Sequence, residues 1–305
     1  MSNVQSWLYA FRLRTLPLSF SSIIVGTFAA YFFTHAINYY LFFLSLLTTL
    51  FLQILSNLAN DYGDSEKGTD NENRIGPKRA VQAGMLSLAQ MKNGVIVAAI
   101  LAFVSGLALI YLGLKDIGFN TSFFFLLLGL AAIAAAIKYT MGKNAYGYLG
   151  LGDVFVFIFF GLVGVMGSFF IQTKAFNFSV LLIATTIGCF SAAVLNLNNM
   201  RDEESDKLAN KNTLVVKIGG ATAKKYSFTL LLVGWLAANA FVVINFVSIT
   251  QFFFVLSLPI FIKIQKAIFA IKNLGDYDSF LKQMAIATFI FSLLFAFGHY
   301  LANNI

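Results

Sequence analysis

The chain has 305 residues, of which 59% are hydrophobic and only 11% charged; its mean hydropathy is +0.79 and its formal net charge +8. Soluble domains carry about a quarter charged residues, so this composition excludes a soluble globular protein and implies an integral membrane protein. Thirty-five phenylalanines and three prolines suit long lipid-facing helices rather than the short alternating segments of a β-barrel.

A spanning helix needs about 20 mostly apolar residues. The sequence predicts nine, at 16–34, 39–60, 92–114, 121–140, 150–171, 178–199, 225–247, 250–271 and 283–302. Residues 1–15 form an amphipathic lead at the interface, and Pro17 opens an uncleaved first span rather than a secretory signal. Of the two arginines before Pro17, Arg12 reads as a positive-inside anchor and Arg14 as the one with a site role.

The second span runs into NLANDYGDSEKGTDNENRIGPKRAVQAG, Asn57 to Gly84, where five carboxylates and four cations follow an apolar run. Asn60 and Asp64 stand four apart, so a helix continuing through them projects both oxygen donors from one face. Hard divalent cations such as Mg²⁺ bind a few carboxylates and complete their shell with water and substrate phosphate. Gly76 and Pro77 enforce a turn between Arg74 and Lys78-Arg79, residue types that hold phosphate oxygens.

The fourth span ends in Lys138-Tyr139-Thr140-Met141-Gly142-Lys143. Lys138 lies close to hydrocarbon, where an ammonium either finds a partner or snorkels to the interface. GYLGLGD, Gly147 to Asp153, opens the fifth span; Asp153 sits near a helix N-terminus, where a carboxylate is favoured with or without a function. The sixth span leads into Asn198, Asp202 and Asp206, at i, i+4, i+8 spacing, with Lys211 after them. This repeats the Asn-x-x-x-Asp device of Asn60 and Asp64, and the two stretches hold nine of the thirteen acidic residues. Glu203 and Glu204 face elsewhere on such a helix and read as solvated, Lys263 and Lys266 as snorkelling, His35 and His299 as interfacial. Cys189, alone, forms no intrachain disulfide.

Lys and Arg set the orientation. With the N-terminus inside and nine spans, the C-terminus lies outside, and of the 21 cations only Lys115 and Lys174 fall near the outer face. The net charge is therefore a membrane-orientation signal and calls for no nucleic acid. Both Asp-rich stretches fall on the cytoplasmic side, where they can share one site.

Two carboxylate clusters with nearby Lys and Arg suit a diphosphate bridged by Mg²⁺, and a site at a membrane face suits a substrate with a lipid tail, such as a polyprenyl diphosphate. At this point the residues resemble a known family. NDYGD at Asn60 to Asp64, Asp202-x-x-x-Asp206 and Tyr139-x-x-x-Lys143 are similar to motifs of the UbiA superfamily of intramembrane prenyltransferases. Arg14-Thr15-Leu16-Pro17, RIGPKRAVQAG, GYLGLGDVFVFIFFG and NLNNMRDEESDKLANKNTLVVKIG resemble its menaquinone-forming branch.

The resemblance covers nearly the whole chain. It implies a single all-α domain over residues 1–305, with nine helices around a central cavity capped by cytoplasmic loops, in the cell (inner) membrane. It implies Mg²⁺ on Asn60 and Asp64 at one side and on Asn198, Asp202 and Asp206 at the other, with diphosphate held by Arg74, Lys143 and Lys211, helped by Arg79 and Lys138. The catalytic set would be Asp64, Asp202 and Lys143, with Asp70 and Asp153 as candidate bases. Many relatives carry a third acidic residue four after Asp64; here that position is Gly68, and either Asp70 takes the role or the site works without it. The reaction implied is prenylation of 1,4-dihydroxy-2-naphthoate with loss of CO₂ and diphosphate. Other acceptors of such enzymes are 4-hydroxybenzoate, homogentisate and haem. A cation-coupled transporter is the competing class, but transporters place such carboxylates near the midplane on broken helices.

Overall fold

The computed structural model describes residues 3–70, 72 and 74–304. Among them nine helices are long and apolar enough to cross a membrane, matching the nine apolar runs. A short helix α1 (Asn3–Phe11) breaks from α2 (Leu16–Thr34) at Arg12, whose backbone is left-handed at φ 49°, ψ 52°. Asn38 then caps α3 (Tyr39–Glu66), its side chain accepting from Leu41 N. This helix overruns its predicted end at residue 60. Its polar last turns stay helical because Asn57, Asp61 and Asp64 are buried there with hydrogen-bond partners.

A loop leads to α4 (Leu88–Leu114), opened by a capping box between Ser87 and Gln90, and then to α5 (Phe119–Lys138). The fifth span joins α6 (Gly152–Val156) to α7 (Gly167–Thr173) through a π-helical stretch, Phe157–Met166. Such wide turns are frequent at functional sites, and this one lines a cavity. After α8 (Val180–Arg201) come α9 (Glu203–Leu208) and α10 (Leu214–Ile218), then α11 (Gly220–Ile244). The eighth span starts as a 3₁₀ stretch, Ile249–Ser257, and continues as α12 (Leu258–Ala270); α13 (Tyr277–Ala302) is the ninth.

Helix α8 is the axis: 78% of its apolar window is buried, against 6% for α5. Around it α2, the π-helical stretch, α11 and α13 close one core. Phe190 packs on Phe261 at 4.7 Å between ring centroids and edge-on to Phe291 at 5.3 Å, with Trp235 edge-on to both Phe261 and Phe291 at 5.5 Å. A smaller core ties α1, α3 and α4 together through Leu55, Leu58 and Met91. His299 is fully buried, its Nδ1 bonded to Phe295 O, so it is a core residue rather than an interfacial one. Lys263 and Lys266 are exposed.

Lipid is as apolar as Phe, so close packing, not burial alone, selects this arrangement. Gly161 shows it: an added Cβ would lie 2.6 Å from Ala184 O and 2.7 Å from Gly188 Cα, both backbone atoms. Gly161→Val is expected to lower the unfolding temperature in detergent by several degrees, at a cost of about 1–3 kcal/mol for overpacking. Gly129→Ala, where an added Cβ meets nothing within 4 Å, should leave it unchanged.

Candidate active site

The helical continuation of α3 places Asn60 and Asp64 on one face. Asp64 is fully buried; its Oδ1 accepts from Tyr148 Oη at 2.8 Å, and its Oδ2 lies 2.9 Å from Arg79 Nη1 and 3.3 Å from Lys211 Nζ. Arg79 Nη1 also donates to the backbone oxygen of Asn60 at 2.6 Å. Asp61 faces away and accepts from Ala80 N at 3.0 Å, which pins the following loop.

The second motif sits at a helix joint. Helix α8 ends at Arg201 and α9 restarts at Glu203, yet Asp202 N bonds Asn198 O at 3.1 Å and Asp206 N bonds Asp202 O at 2.8 Å. The four-residue spacing therefore survives across two helices. Arg201 grips both oxygens of Asp202, Nε to Oδ1 at 2.8 Å and Nη2 to Oδ2 at 2.7 Å, while its Nη1 meets Asp278 Oδ1 at 2.6 Å.

Two cations join the motifs into one site. Lys211 reaches both Asp64 and, at 3.6 Å, Asp206. Arg74 pairs with Asp70 at 2.9 Å and with Asp202 at 3.6 Å, and Arg79 Nε lies 3.2 Å from Asp70. Gly76 lets this loop close on the other motif: a Cβ there would lie 2.7 Å from the Arg201 Cζ. Its role is close approach to Arg201, beyond the turn expected of Gly76-Pro77.

The structure thus brings together Asp64, Asp70, Asp202, Asp206, Arg74, Arg79 and Lys211, flanked by Asn60 and Asn198. It does not bring in Lys138 or Lys143, both exposed and neither ion-paired with these carboxylates. Asp153 is buried at the start of α6, where its partner is Tyr226. Glu204 is exposed as expected, but Glu203 is half-buried and accepts from Gly220 N at 3.2 Å. Of the two early arginines, Arg14 is exposed, whereas Arg12 lines the cavity. Three site residues escape the sequence reading. Tyr148 gave a signal only as an aromatic inside a Gly-rich loop, Arg201 filled a spacer position, and Arg12 looked like an anchor.

Burial dominates the electrostatics outside the spans. It pushes the Asp206 carboxyl up to about 6, even with Lys211 opposing, and raises Asp70. Asp202 goes the other way: burial would raise it, but the hydrogen bonds and charge of Arg201 hold it below its ordinary value. Burial and the Asp64 charge keep the Tyr148 phenol protonated, so it donates.

The donor set fits hard cations. Oδ2 of Asp70 and Oδ2 of Asp206 are buried with no hydrogen-bond partner. Among the described residues no three His, Cys, Asp or Glu side chains converge as a preformed cage; paired carboxylates that leave positions for water and phosphate are what Mg²⁺ favours. Beneath the cluster opens a cavity of about 400 Å³, polar at Arg12, Gln53, Asn57, Asn60 and Asn198, apolar along Leu109, Phe125, Leu128, Phe155 and Phe159. A charged head group fits the first region and a hydrocarbon tail the second.

Residues 19–289 match the model of the UbiA prenyltransferase family. The chain is 40% identical to a 1,4-dihydroxy-2-naphthoate octaprenyltransferase of Haemophilus influenzae, over 97% of this chain and 96% of that one. It is 38% identical to the protein of the same name in Escherichia coli K12, over 99% and 97%. In fold it resembles the apo structure of a UbiA homolog from Aeropyrum pernix K1, with a TM-score of 0.68 at 15% identity, covering 96% of this chain and 98% of that one. A UbiA homolog from Archaeoglobus fulgidus bound to DMAPP and Mg²⁺ aligns with a TM-score of 0.55 at 16% identity, covering 93% and 98%.

Proposed function

The chain belongs to the UbiA prenyltransferase family, and on that premise we propose that it transfers a polyprenyl chain from polyprenyl diphosphate to 1,4-dihydroxy-2-naphthoate in menaquinone biosynthesis. The observation that carries this reading is the cluster of Asp64, Asp202, Asp206, Arg74, Arg79 and Lys211, flanked by Asn60 and Asn198, which line the polar end of an apolar cavity. The carboxylates Asp64, Asp70, Asp202 and Asp206, with Asn60 and Asn198, would hold Mg²⁺. Bound there, Mg²⁺ would neutralise the diphosphate and make it a better leaving group. Arg74, Arg79 and Lys211 would orient the diphosphate and stabilise charge on the leaving oxygen. The prenyl tail would lie between Phe125, Phe155 and Phe159, where the surrounding helices exclude water from the allylic carbon.

The chemistry closes without a protein base. The C–O bond to diphosphate breaks, the prenyl carbon bonds to the ring carbon that carries the carboxylate, and the C–C bond to that carboxylate breaks to release CO₂. Its electron pair returns to the ring, so CO₂ leaves where a proton otherwise would. Asp70, already ion-paired with Arg74 and Arg79, and Asp153, bonded to Tyr226, are not required as bases.

A direct test supplies purified protein with Mg²⁺, a polyprenyl diphosphate and either 1,4-dihydroxy-2-naphthoate or 4-hydroxybenzoate, and reads products by mass spectrometry. A prenylated, decarboxylated naphthalene-1,4-diol is expected from the first, read as such or as the quinone that dissolved oxygen makes of it. Product from 4-hydroxybenzoate alone would overturn the acceptor assignment.

The proposal places one prenyltransferase domain over residues 1–305 in the cell membrane, N-terminus and active site facing the cytoplasm. Glu204 is exposed beside the site and Lys115 is exposed at the opposite end of the bundle. In a Cys189→Ala background, Glu204→Cys is expected to resist an impermeant thiol reagent in intact cells and Lys115→Cys to react. The reverse pattern would invert the topology.

A further inference from the structure

We propose that Arg12 is the residue that binds the carboxylate of the aromatic acceptor and thereby selects acidic acceptors; this rests on the prenyltransferase reading. Arg12 is held in a left-handed backbone conformation that a residue with a Cβ adopts at a cost, so something in the fold enforces it. The enforcing contacts come from α3. Asn57 Nδ2 donates to Phe11 O at 2.9 Å and to Thr15 Oγ1 at 3.1 Å, and Thr15 Oγ1 donates to Arg12 O at 3.0 Å. The turn is clamped on both sides of Arg12.

Its side chain lines the polar end of the cavity, and its Nη2 is buried without a hydrogen-bond partner. Arg74, Arg79, Arg201 and Lys211 each have a carboxylate partner. Among the described residues no carboxylate lies within ion-pair distance of Arg12. Asp61 and Asp70 act on it only from beyond that distance; a buried guanidinium without a direct partner is costly, and its planar fork matches a carboxylate. The neighbouring polar side chains are already engaged with one another: Ser19 Oγ donates to Gln53 Oε1 at 3.0 Å, and Gln53 Nε2 to Asn57 Oδ1 at 3.4 Å. Gln53 and Asn57 lie earlier on α3 than Asn60 and Asp64, toward the bilayer interior. An acceptor anchored there by its carboxylate would stand below the ion-paired cluster, inside the same cavity as the prenyl tail.

The test compares 1-hydroxy-2-naphthoate with 1-naphthol, ligands that differ by the carboxylate, by equilibrium dialysis against purified wild type, Arg12→Gln and Arg12→Lys. Wild type is expected to prefer the acid by at least roughly tenfold and Arg12→Gln by less than about threefold, with Arg12→Lys between them because it keeps the charge but not the fork. In steady state, Arg12→Gln should raise KM for 1,4-dihydroxy-2-naphthoate at least roughly tenfold and leave KM for polyprenyl diphosphate within about twofold. If Arg12→Gln does not fold, Arg12→Lys carries the test, and an undiminished preference for the acid overturns the proposal. A raised KM for polyprenyl diphosphate would make Arg12 a diphosphate ligand and also overturn it. Wild type that forms product but shows no preference for the acid sinks this inference alone; wild type that forms no product from either substrate pair sinks the prenyltransferase reading with it.

Discussion

Asp64→Ala is expected to lower turnover by at least about a hundredfold, the usual scale when a group that stabilises transition-state charge is removed. Asp64 is the residue on which the cluster converges, since Tyr148, Arg79 and Lys211 all contact its carboxylate. Its removal also leaves two buried cations short of a counter-charge, a loss of about 3–5 kcal/mol in stability. The two effects separate with Asp64→Asn, which keeps the volume and an acceptor for Tyr148 while removing the charge. Both variants should be compared for turnover and for monodispersity after detergent extraction. A monodisperse Asp64→Asn with near-normal turnover would remove Asp64 from the reaction.

Exhaustive chelation with EDTA should abolish product formation, and Mg²⁺ should restore it. The ion pairs add a sharper expectation. Asp64, Asp70, Asp202, Asp206 and Asp278 face Arg74, Arg79, Arg201 and Lys211, five charges against four, so the cluster is balanced to within one charge. A divalent cation arriving alone must compete with guanidinium groups for its oxygens, and a diphosphate arriving alone must compete with carboxylates for its cations. Arriving together, each takes the partners the other displaces. Calorimetric titration of Mg²⁺ should therefore show at least roughly tenfold tighter binding with a non-reactive diphosphate present than without it, a coupling of about 1.4 kcal/mol or more. Equal affinity in both titrations, or turnover that survives chelation, would contradict this account.

Much of the architecture is legible in the residues, and the exceptions have physical causes. Nine spans follow from apolar run length because lipid demands internally bonded helices. The end of α3 does not follow, because Asn57, Asp61 and Asp64 lower its apolar count while their partners, supplied by distant segments, keep it helical. The cluster is legible through the repeated four-residue spacing at Asn60 and Asn198, which survives even the joint at Asp202. Lys143 and Arg14 carried the weight of motifs yet lie exposed, and Arg12 and Tyr148 gain their positions from a left-handed turn and a Gly-rich loop that no period reveals. Arg201 was hidden for another reason. Its work is to neutralise its own neighbour, and a residue next to an aspartate looks like a spacer.

The Lys211–Asp64 contact spans 147 residues of chain. At a synthesis rate of about 5–20 residues per second, the aspartate leaves the ribosome roughly 7–30 s before its lysine exists. Arg79, only fifteen positions downstream of Asp64, emerges within a few seconds and is the earlier of its two ion-pair partners. The loop after α3 thus carries one of the two cations that hold Asp64 in the folded protein, and it is made four spans before the other.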